Sequence, residues 1–137
     1  MRIIVCGGRD YPDRERVFEA LDRLHKEKGI TCIIHGACPT GADKWADEWA
    51  KEREVKVEAY EADWLRLGRY GGPERNQRMA EAKPDGCVAF PRAGGYIGSG
   101  TADMCRRAKE PPPIGPGIKV WYPCVGSRPL KNRELYR

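Results

Sequence analysis

Three short apolar runs in this 137-residue sequence are each followed by residue types that are suited to binding a phosphate group. Glycines end each run, and a stretch with helical spacing begins soon afterwards. Backbone amides approach an anion closely where no side chain intervenes, and the first amides of a helix carry partial positive charge. Glycine also occurs in ordinary turns, but three such segments together favour an anion-binding site. The glycines are Gly7 and Gly8, then Gly36, and then Gly94, Gly95, Gly98 and Gly100.

Polar side chains in or near these segments are candidates for selecting the ligand. Arg75 and Asn76 offer a guanidinium and a carboxamide that can fork onto a phosphate group or a base, although a surface arginine and a capping asparagine explain them too. Thr40 and Asp43 are explained equally well as residues that cap a helix. We predict ligand contacts from Gly7, Gly8, Arg9, Asp10, Gly36, Thr40, Gly41, Asp43, Arg75, Asn76, Pro91, Gly98, Ser99, Gly100 and Thr101.

Two well-known nucleotide-binding motifs are approached but not matched. Gly36 and Gly41 have the spacing of the P-loop glycines. However, Ala42 stands where that motif requires lysine, and Lys44 comes too late. The Gly7-Gly8 pair lacks the third glycine of the dinucleotide-binding fingerprint, and no acidic residue ends the second apolar run. Neither a P-loop nucleoside triphosphatase nor an ordinary dinucleotide-dependent dehydrogenase is expected.

Alternating strand and helix patterns position these segments. Apolar, β-branched runs predict five strands, at 2–6, 31–35, 56–60, 86–90 and 118–122. Helical spacing predicts four helices, at 13–28, at 41–53, from residue 73 to before residue 84, and at 101–109. This alternation is typical of βαβ units, so we predict an α/β, Rossmann-like parallel sheet of about five strands with helices on both faces. The ligand site is then expected beyond the carboxyl ends of the strands.

The composition is that of a globular protein, since 40% of the residues are hydrophobic and 33% are charged. The length suits one domain, which we place at 1–122, followed by a loosely ordered basic tail at 123–137. No apolar run approaches the ~20 residues of a membrane span, and no signal peptide is recognised, so a soluble cytoplasmic protein is expected. Trp45 and Trp49, spaced one helical turn apart, are expected in the core.

Metal and disulfide chemistry is not expected from the six cysteines and two histidines. The sequence contains no C-x-x-C and no Cys/His pair at zinc spacing. Cys6, Cys32 and Cys87 fall inside apolar runs, where cysteine usually behaves as a small buried hydrophobe. We therefore expect reduced thiols, no metal site and no cofactor.

Five segments, in order, resemble the SLOG superfamily, the Rossmann-like group that contains the Lonely Guy phosphoribohydrolases and DNA-processing protein A. The likeness is greatest to its YspA-like, cpYpsA-related branch. The segments are VCGGRDY at 5–11, IIHGACPTGAD at 33–43, ADW at 62–64, GPERNQRM at 72–79 and AFP…GSGTADM at 89–104. The resemblance implies a Rossmann-like fold, nucleotide-like ligands such as ADP-ribose derivatives or nucleoside phosphates, and a homodimer as the suggested oligomer. It implies a pocket lined by Gly7, Gly8, Arg9, Gly36, Gly41, Asp43, Arg75, Asn76, Gly98, Gly100 and Thr101.

The sequence departs from this family at two places that affect function. The loop at 91–101 is longer than the compact P-G-G-x-G-T loop of the family, which indicates a different ligand preference. The Lonely Guy enzymes carry a glutamate three residues after the threonine of that loop, where this sequence has Met104. Asp103 is adjacent, but one residue on a helix turns a side chain by about 100°. Without that carboxylate, N-glycosidic hydrolysis lacks its anion.

Three functional hypotheses follow. The first is a sensor or binding protein for a nucleotide-derived phosphate ligand. The second is a nucleotide-processing hydrolase that uses Asp103 or Asp10 as its carboxylate and Arg75 as its phosphate clamp. The third, ranked last because the net charge of +5 is small and the basic residues are scattered, is single-stranded DNA binding. The cations that motivate the third hypothesis are Arg106, Arg107, Arg128, Lys131, Arg133 and Arg137.

Overall fold

A computed structural model describes residues 1–124 of the chain. The five strands are β1 (Arg2–Cys6), β2 (Cys32–His35), β3 (Lys56–Ala59), β4 (Gly86–Ala89) and β5 (Val120–Trp121). The helices are α1 (Arg14–Lys28), α2 (Gly41–Glu52), the one-turn α3 (Trp64–Leu67), α4 (Gly71–Ala80) and α5 (Ser99–Lys109), with a 3-10 turn at Gly68–Tyr70. The tail predicted at 123–137, with its four cations Arg128, Lys131, Arg133 and Arg137, lies outside the described residues except for 123 and 124.

The strands form one parallel sheet in the order β3-β2-β1-β4-β5, which confirms the predicted fold class. The chain runs outward from β1 to β3, then returns to the other side of β1 to form β4 and β5. The direction of winding therefore reverses between β1 and β4. In open α/β sheets a ligand crevice opens at this reversal, because the loops that follow the two strands diverge to opposite faces.

Helices cover both faces of the sheet, as the strand alternation predicts. Ile3 and Val5 of β1 pack in a cluster with the buried residues of α1 and α2. Ile4 and Cys6 point the other way, into a cluster with α4 and α5. The prediction that the two tryptophans of α2 belong to the core is confirmed, since Trp49 is fully buried and Trp45 packs against the same cluster. Within residues 1–124, no helix has the length and apolar character needed to cross a membrane.

The segment between β3 and β4 differs most from the prediction. The third predicted helix begins at Gly71 rather than at residue 73, and α3 precedes it. The Asp63 carboxylate starts α3 by accepting a hydrogen bond from the backbone N–H of Arg66 at 3.1 Å. Pro73 lies within the first turn of α4, where its missing N–H costs no helical hydrogen bond. A capping residue and a proline in a first turn are signals of a helix start that can be recognised in a sequence. The two glycines in front of this proline, however, are more typical of a loop than of a helix.

Candidate functional site

A cleft of about 850 Å³ opens at the carboxyl ends of β1, β2 and β4. Its walls come from the loops after β1 and β2, from the segment that contains α3, and from the starts of α4 and α5. Twelve of the sequence-derived candidate residues line it together: Gly7, Gly8, Arg9, Gly36, Asp43, Arg75, Asn76, Gly98, Ser99, Gly100, Thr101 and Asp103. The three glycine segments therefore meet at one rim of the sheet rather than at separate places on the molecule.

The first two loops are joined by direct backbone contacts. The carbonyl of Gly8 accepts hydrogen bonds from the backbone N–H of Tyr11 and of Ala42, each at 3.2 Å. The Thr40 hydroxyl donates to the carbonyl of Arg9 at 2.8 Å, so Thr40 ties the loops together and does not cap α2. Gly41 has a φ of +69°, and a β-carbon there would overlap the carbonyl oxygen of Gly8. The glycine at this position thus permits the close approach of two loops.

Arg75 reaches across the cleft from α4 to the loop after β2. Its Nη1 donates to the carbonyl of Gly36 at 2.8 Å, and its Nε donates to the Oδ1 of Asn76 at 2.9 Å. Within residues 1–124, its Nη2 has no hydrogen-bond partner. Burial lowers the pKa of this guanidinium, and the nearby Asp43 carboxyl opposes that effect. An arginine stays charged under all ordinary conditions, so Arg75 presents an unused donor and a positive charge to the cleft.

Asn76 connects α4 to α5 beneath the cleft. This buried side chain accepts from Arg75 and donates through Nδ2 to the carbonyl of Gly100 at 3.3 Å and to the Oδ2 of Asp103 at 3.0 Å. The Asp103 carboxylate also accepts from the Nε of Arg107 at 2.8 Å and from Arg106 at 2.7 Å. Burial acts to raise the pKa of Asp103, but these hydrogen bonds outweigh it and lower the pKa below its ordinary value. Asp103 is therefore ionised at neutral pH and is not a proton donor.

The start of α5 supplies backbone donors to the same cleft. Gly98 occupies the N-cap position, and no side chain of the described residues caps the helix. The first turn, with Ser99, Gly100 and Thr101, lines the cleft. The first amides of a helix have no partners within it, and the helix dipole makes this end partly positive. An anionic group is the ligand that such an end binds best.

Burial also changes the acidity of Asp43, which stands at the start of α2. Burial raises the pKa of this carboxyl, while the backbone N–H of Cys38 and the nearby Arg75 guanidinium act in the opposite direction. Its Oδ2 accepts a hydrogen bond from the backbone N–H of Cys38 at 3.2 Å. Asp43 therefore shapes the loop after β2 while it faces the cleft.

Four predicted ligand contacts lie outside the cleft walls: Asp10, Thr40, Gly41 and Pro91. The Asp10 carboxylate accepts from the backbone N–H of Ala93 at 3.0 Å and pairs with Arg92 at 3.3 Å. It therefore holds the loop after β4 against the loop after β1. Pro91 is buried behind that loop. These four positions support the cleft from outside. Sequence spacing alone does not show whether a residue lines a cleft or supports it from behind.

Several lining residues were not predicted as ligand contacts. Trp64, Arg69 and Arg92 bring an aromatic ring and two further guanidinium groups into the walls, and Cys38 adds a half-buried thiol. The only signal for Trp64 was its place in the ADW segment. Arg92 sits in the long loop after β4, and that loop reaches the cleft because Asp10 anchors it.

The fold also assembles three thiols that sequence spacing did not associate. The sulfur atoms of Cys6, Cys87 and Cys105 all lie within 4.8 Å of one another in the buried core. Hydrogen bonding with the neighbouring thiols raises the pKa of Cys6, with burial acting in the same direction, and lowers the pKa of Cys105. A structural zinc site uses four ligands, one more than this group offers. Within the part of the chain that the structure describes, no other group of three metal-ligating side chains comes together.

His35 has its two ring nitrogens occupied. Its Nε2 lies 2.9 Å from the Oδ1 of Asp47, and its Nδ1 accepts from the backbone N–H of Ala37 at 3.0 Å. This buried side chain therefore stabilises the end of β2.

Comparison with known proteins finds a family model and a phage protein that are similar to this chain. The family model described as YAcAr, the YspA, cpYpsA-related SLOG family, matches residues 1–67. The gene 61 protein of Mycobacterium phage D29 is 38% identical over 96 residues, a span that covers 66% of this chain and 76% of the phage protein. The family match includes the loops after β1 and β2 and the turn of α3, which together form about half of the cleft wall.

Proposed function

Because the chain belongs to the YspA, cpYpsA-related SLOG family, we propose that it is a sensor or binding protein for a nucleotide-derived phosphate ligand, held in the cleft. One observation carries this proposal. Within residues 1–124, the start of α5 has no side-chain cap and the Nη2 of Arg75 has no hydrogen-bond partner; both belong to the same cleft, and Asn76 links them. Together they offer backbone amides, a helix dipole and a fixed positive charge to one anionic group.

The size and charge of the cleft suit such a ligand. A volume of about 850 Å³ falls within the range of small-molecule sites and accommodates a nucleoside phosphate. Of the described residues, four arginines line the cleft, against three carboxyl groups. One of the three, Asp103, is already paired with Arg106 and Arg107. The balance therefore favours an anion.

Binding without strong catalysis is supported by the surroundings of α5. Met104 takes the position of the glutamate that the Lonely Guy enzymes use, and its side chain is buried. Asp103 is tied to three hydrogen-bond donors and lacks a free proton for a leaving group. Both features are adverse to general acid catalysis.

Thermal unfolding of the purified protein with and without adenosine monophosphate, guanosine monophosphate and ADP-ribose tests this proposal. Binding to the native state raises the unfolding temperature in proportion to the logarithm of ligand concentration. Stabilisation by a nucleotide, together with a nucleotide in the mass spectrum of the protein as purified, is the expected result. If none of these compounds stabilises the protein and nothing copurifies with it, the cleft is not a nucleotide site.

A nucleotide hydrolase is the second candidate, because one carboxylate that is ionised does line the cleft. Asp103 is the residue that would stabilise an oxocarbenium-like transition state, and Arg75 would hold the phosphate. Chromatographic detection of free base released from nucleoside monophosphates tests this function. Asp103→Asn should abolish release, whereas Asp10→Asn, outside the cleft, should retain it. Release that persists in both Asp103→Asn and Arg75→Met variants rules out these roles.

A further inference from the structure

Trp64 is an aromatic side chain that the fold leaves partly uncovered inside the cleft. It is the first residue of α3, and 48% of its surface is exposed. Among the described residues that line the cleft, it is the one aromatic side chain. A large indole with this exposure would gain by covering its free face with an apolar or aromatic partner.

The start of α4 supports the Trp64 ring from behind. A β-carbon on Gly71 or on Gly72 would come within 3.1 Å of ring atoms of Trp64, which is closer than an ordinary contact. Both glycines are buried. The absence of side chains at these two positions lets the indole lie against the backbone of α4. One side of the ring thus packs against α4 at the cleft wall.

Arg9 lies beside Trp64 and is exposed to solvent. Its guanidinium is 5.8 Å from the centre of the indole ring. Within residues 1–124, the Arg9 side chain makes no hydrogen bond, and its backbone carbonyl is the group that holds Thr40. An arginine over an aromatic face can be replaced there by a planar base and can then stack on that base.

We infer that Trp64 is the platform on which the aromatic base of the ligand stacks, with Arg9 as the cation that accompanies the base. This inference rests on the proposed function, and it assigns the two ends of the ligand to different parts of the cleft. The phosphate belongs to Arg75 and the start of α5, and the base belongs to Trp64. The ligand class is therefore a nucleoside phosphate with an accessible base rather than a sugar phosphate.

Calorimetric titration measures the contributions of the base and the phosphate end of the ligand separately. Adenosine monophosphate and ribose 5-phosphate are titrated into the wild type, Trp64→Ala and Trp64→Phe, and the nucleotide series is extended to the guanine, cytosine and uracil monophosphates. Loss of one base–aromatic stack weakens binding by about 5- to 140-fold. We expect that loss for the nucleotides in Trp64→Ala, near wild-type binding in Trp64→Phe, and no change for ribose 5-phosphate. Leu65→Ala is the matched control, because Leu65 is the neighbouring residue of α3 and is fully exposed outside the cleft.

Fluorescence gives an independent readout of the same contact. Three other tryptophans occur in the chain: Trp49 is buried, and Trp45 and Trp121 pack against the core. Quenching of the wild type by a nucleotide, abolished in Trp64→Phe, is the expected result. Nucleotide affinity that is equal in wild type and Trp64→Ala, or ribose 5-phosphate bound as tightly as any nucleotide, overturns the inference and leaves the proposed function standing. Failure of the wild type to bind every compound overturns both.

Discussion

Replacing Arg75 by methionine tests both its observed contact with the loop after β2 and its proposed contact with the ligand. Methionine keeps an unbranched side chain of similar length but removes all five donors and the charge. The native side chain donates to Gly36 at 2.8 Å and to Asn76 at 2.9 Å, and one nitrogen has no partner within residues 1–124. The substitution therefore affects both the unliganded protein and the complex.

The two effects have different expected sizes. Without ligand, the carbonyl of Gly36 loses a charged donor, which destabilises the fold by about 1–3 kcal/mol. With ligand, the loss of a charge-assisted hydrogen bond to phosphate, about 1.5–3 kcal/mol, weakens binding by about 10- to 140-fold. Urea unfolding measures the first quantity and calorimetric titration with a nucleoside monophosphate measures the second. Arg75→Lys keeps the positive charge but not the planar group that forms two parallel hydrogen bonds. Its stability and its nucleotide affinity should therefore fall between those of wild type and Arg75→Met.

Arg78→Met is the matched control for Arg75→Met. Arg78 lies on the same helix and carries the same charge, but it does not line the cleft; it binds Glu74 and the carbonyl of Glu61, a residue of the cleft wall. Both variants change the net charge equally, so any long-range attraction of the ligand changes equally too. If Arg78→Met weakens nucleotide binding as much as Arg75→Met does, the general charge of the protein binds the ligand and the proposed clamp does not exist.

Three further outcomes are expected. Gly41→Ala should lower the free energy of unfolding, measured in urea, by more than about 1–2 kcal/mol. Alanine is strained at this positive φ, and its β-carbon would also overlap the Gly8 carbonyl. Unchanged stability would contradict the described loop contact. Alkylation of Cys38, followed by peptide mass spectrometry, should slow when a nucleotide fills the cleft, whereas equal rates would place the ligand elsewhere. Hydrogen bonds from Arg2 lower the pKa of Glu58, so this carboxylate stabilises the fold above the ordinary glutamate pKa, about 4.3, and that contribution is lost as the pH falls below it. Glu58→Gln should therefore lose less stability than wild type on acidification in pH-dependent unfolding, and parallel curves would refute this linkage.

Local patterns were sufficient to predict the sheet and its edge. Buried apolar runs such as those of β1 and β2 have few alternatives to a central parallel strand, and the helical spacing between them requires crossover connections. Because parallel strands end on one side, the glycines after β1, β2 and β4 had to gather there. The sequence thus determined which loops meet at one edge of the sheet, where we propose that an anion binds.

Which side chains face the cleft was decided by tertiary contacts. Asp10 and Asp103 are both acidic residues in loop or helix-start positions, yet Asp10 anchors a neighbouring loop and Asp103 lines the cleft. Trp64 entered the wall because two glycines distant from β1 and β2 let its ring lie against α4. The three core thiols met because their strands and helix pack together, although they are separated along the chain. A sequence encodes periodicity within an element, whereas side-chain orientation at a shared cleft depends on how separate elements pack.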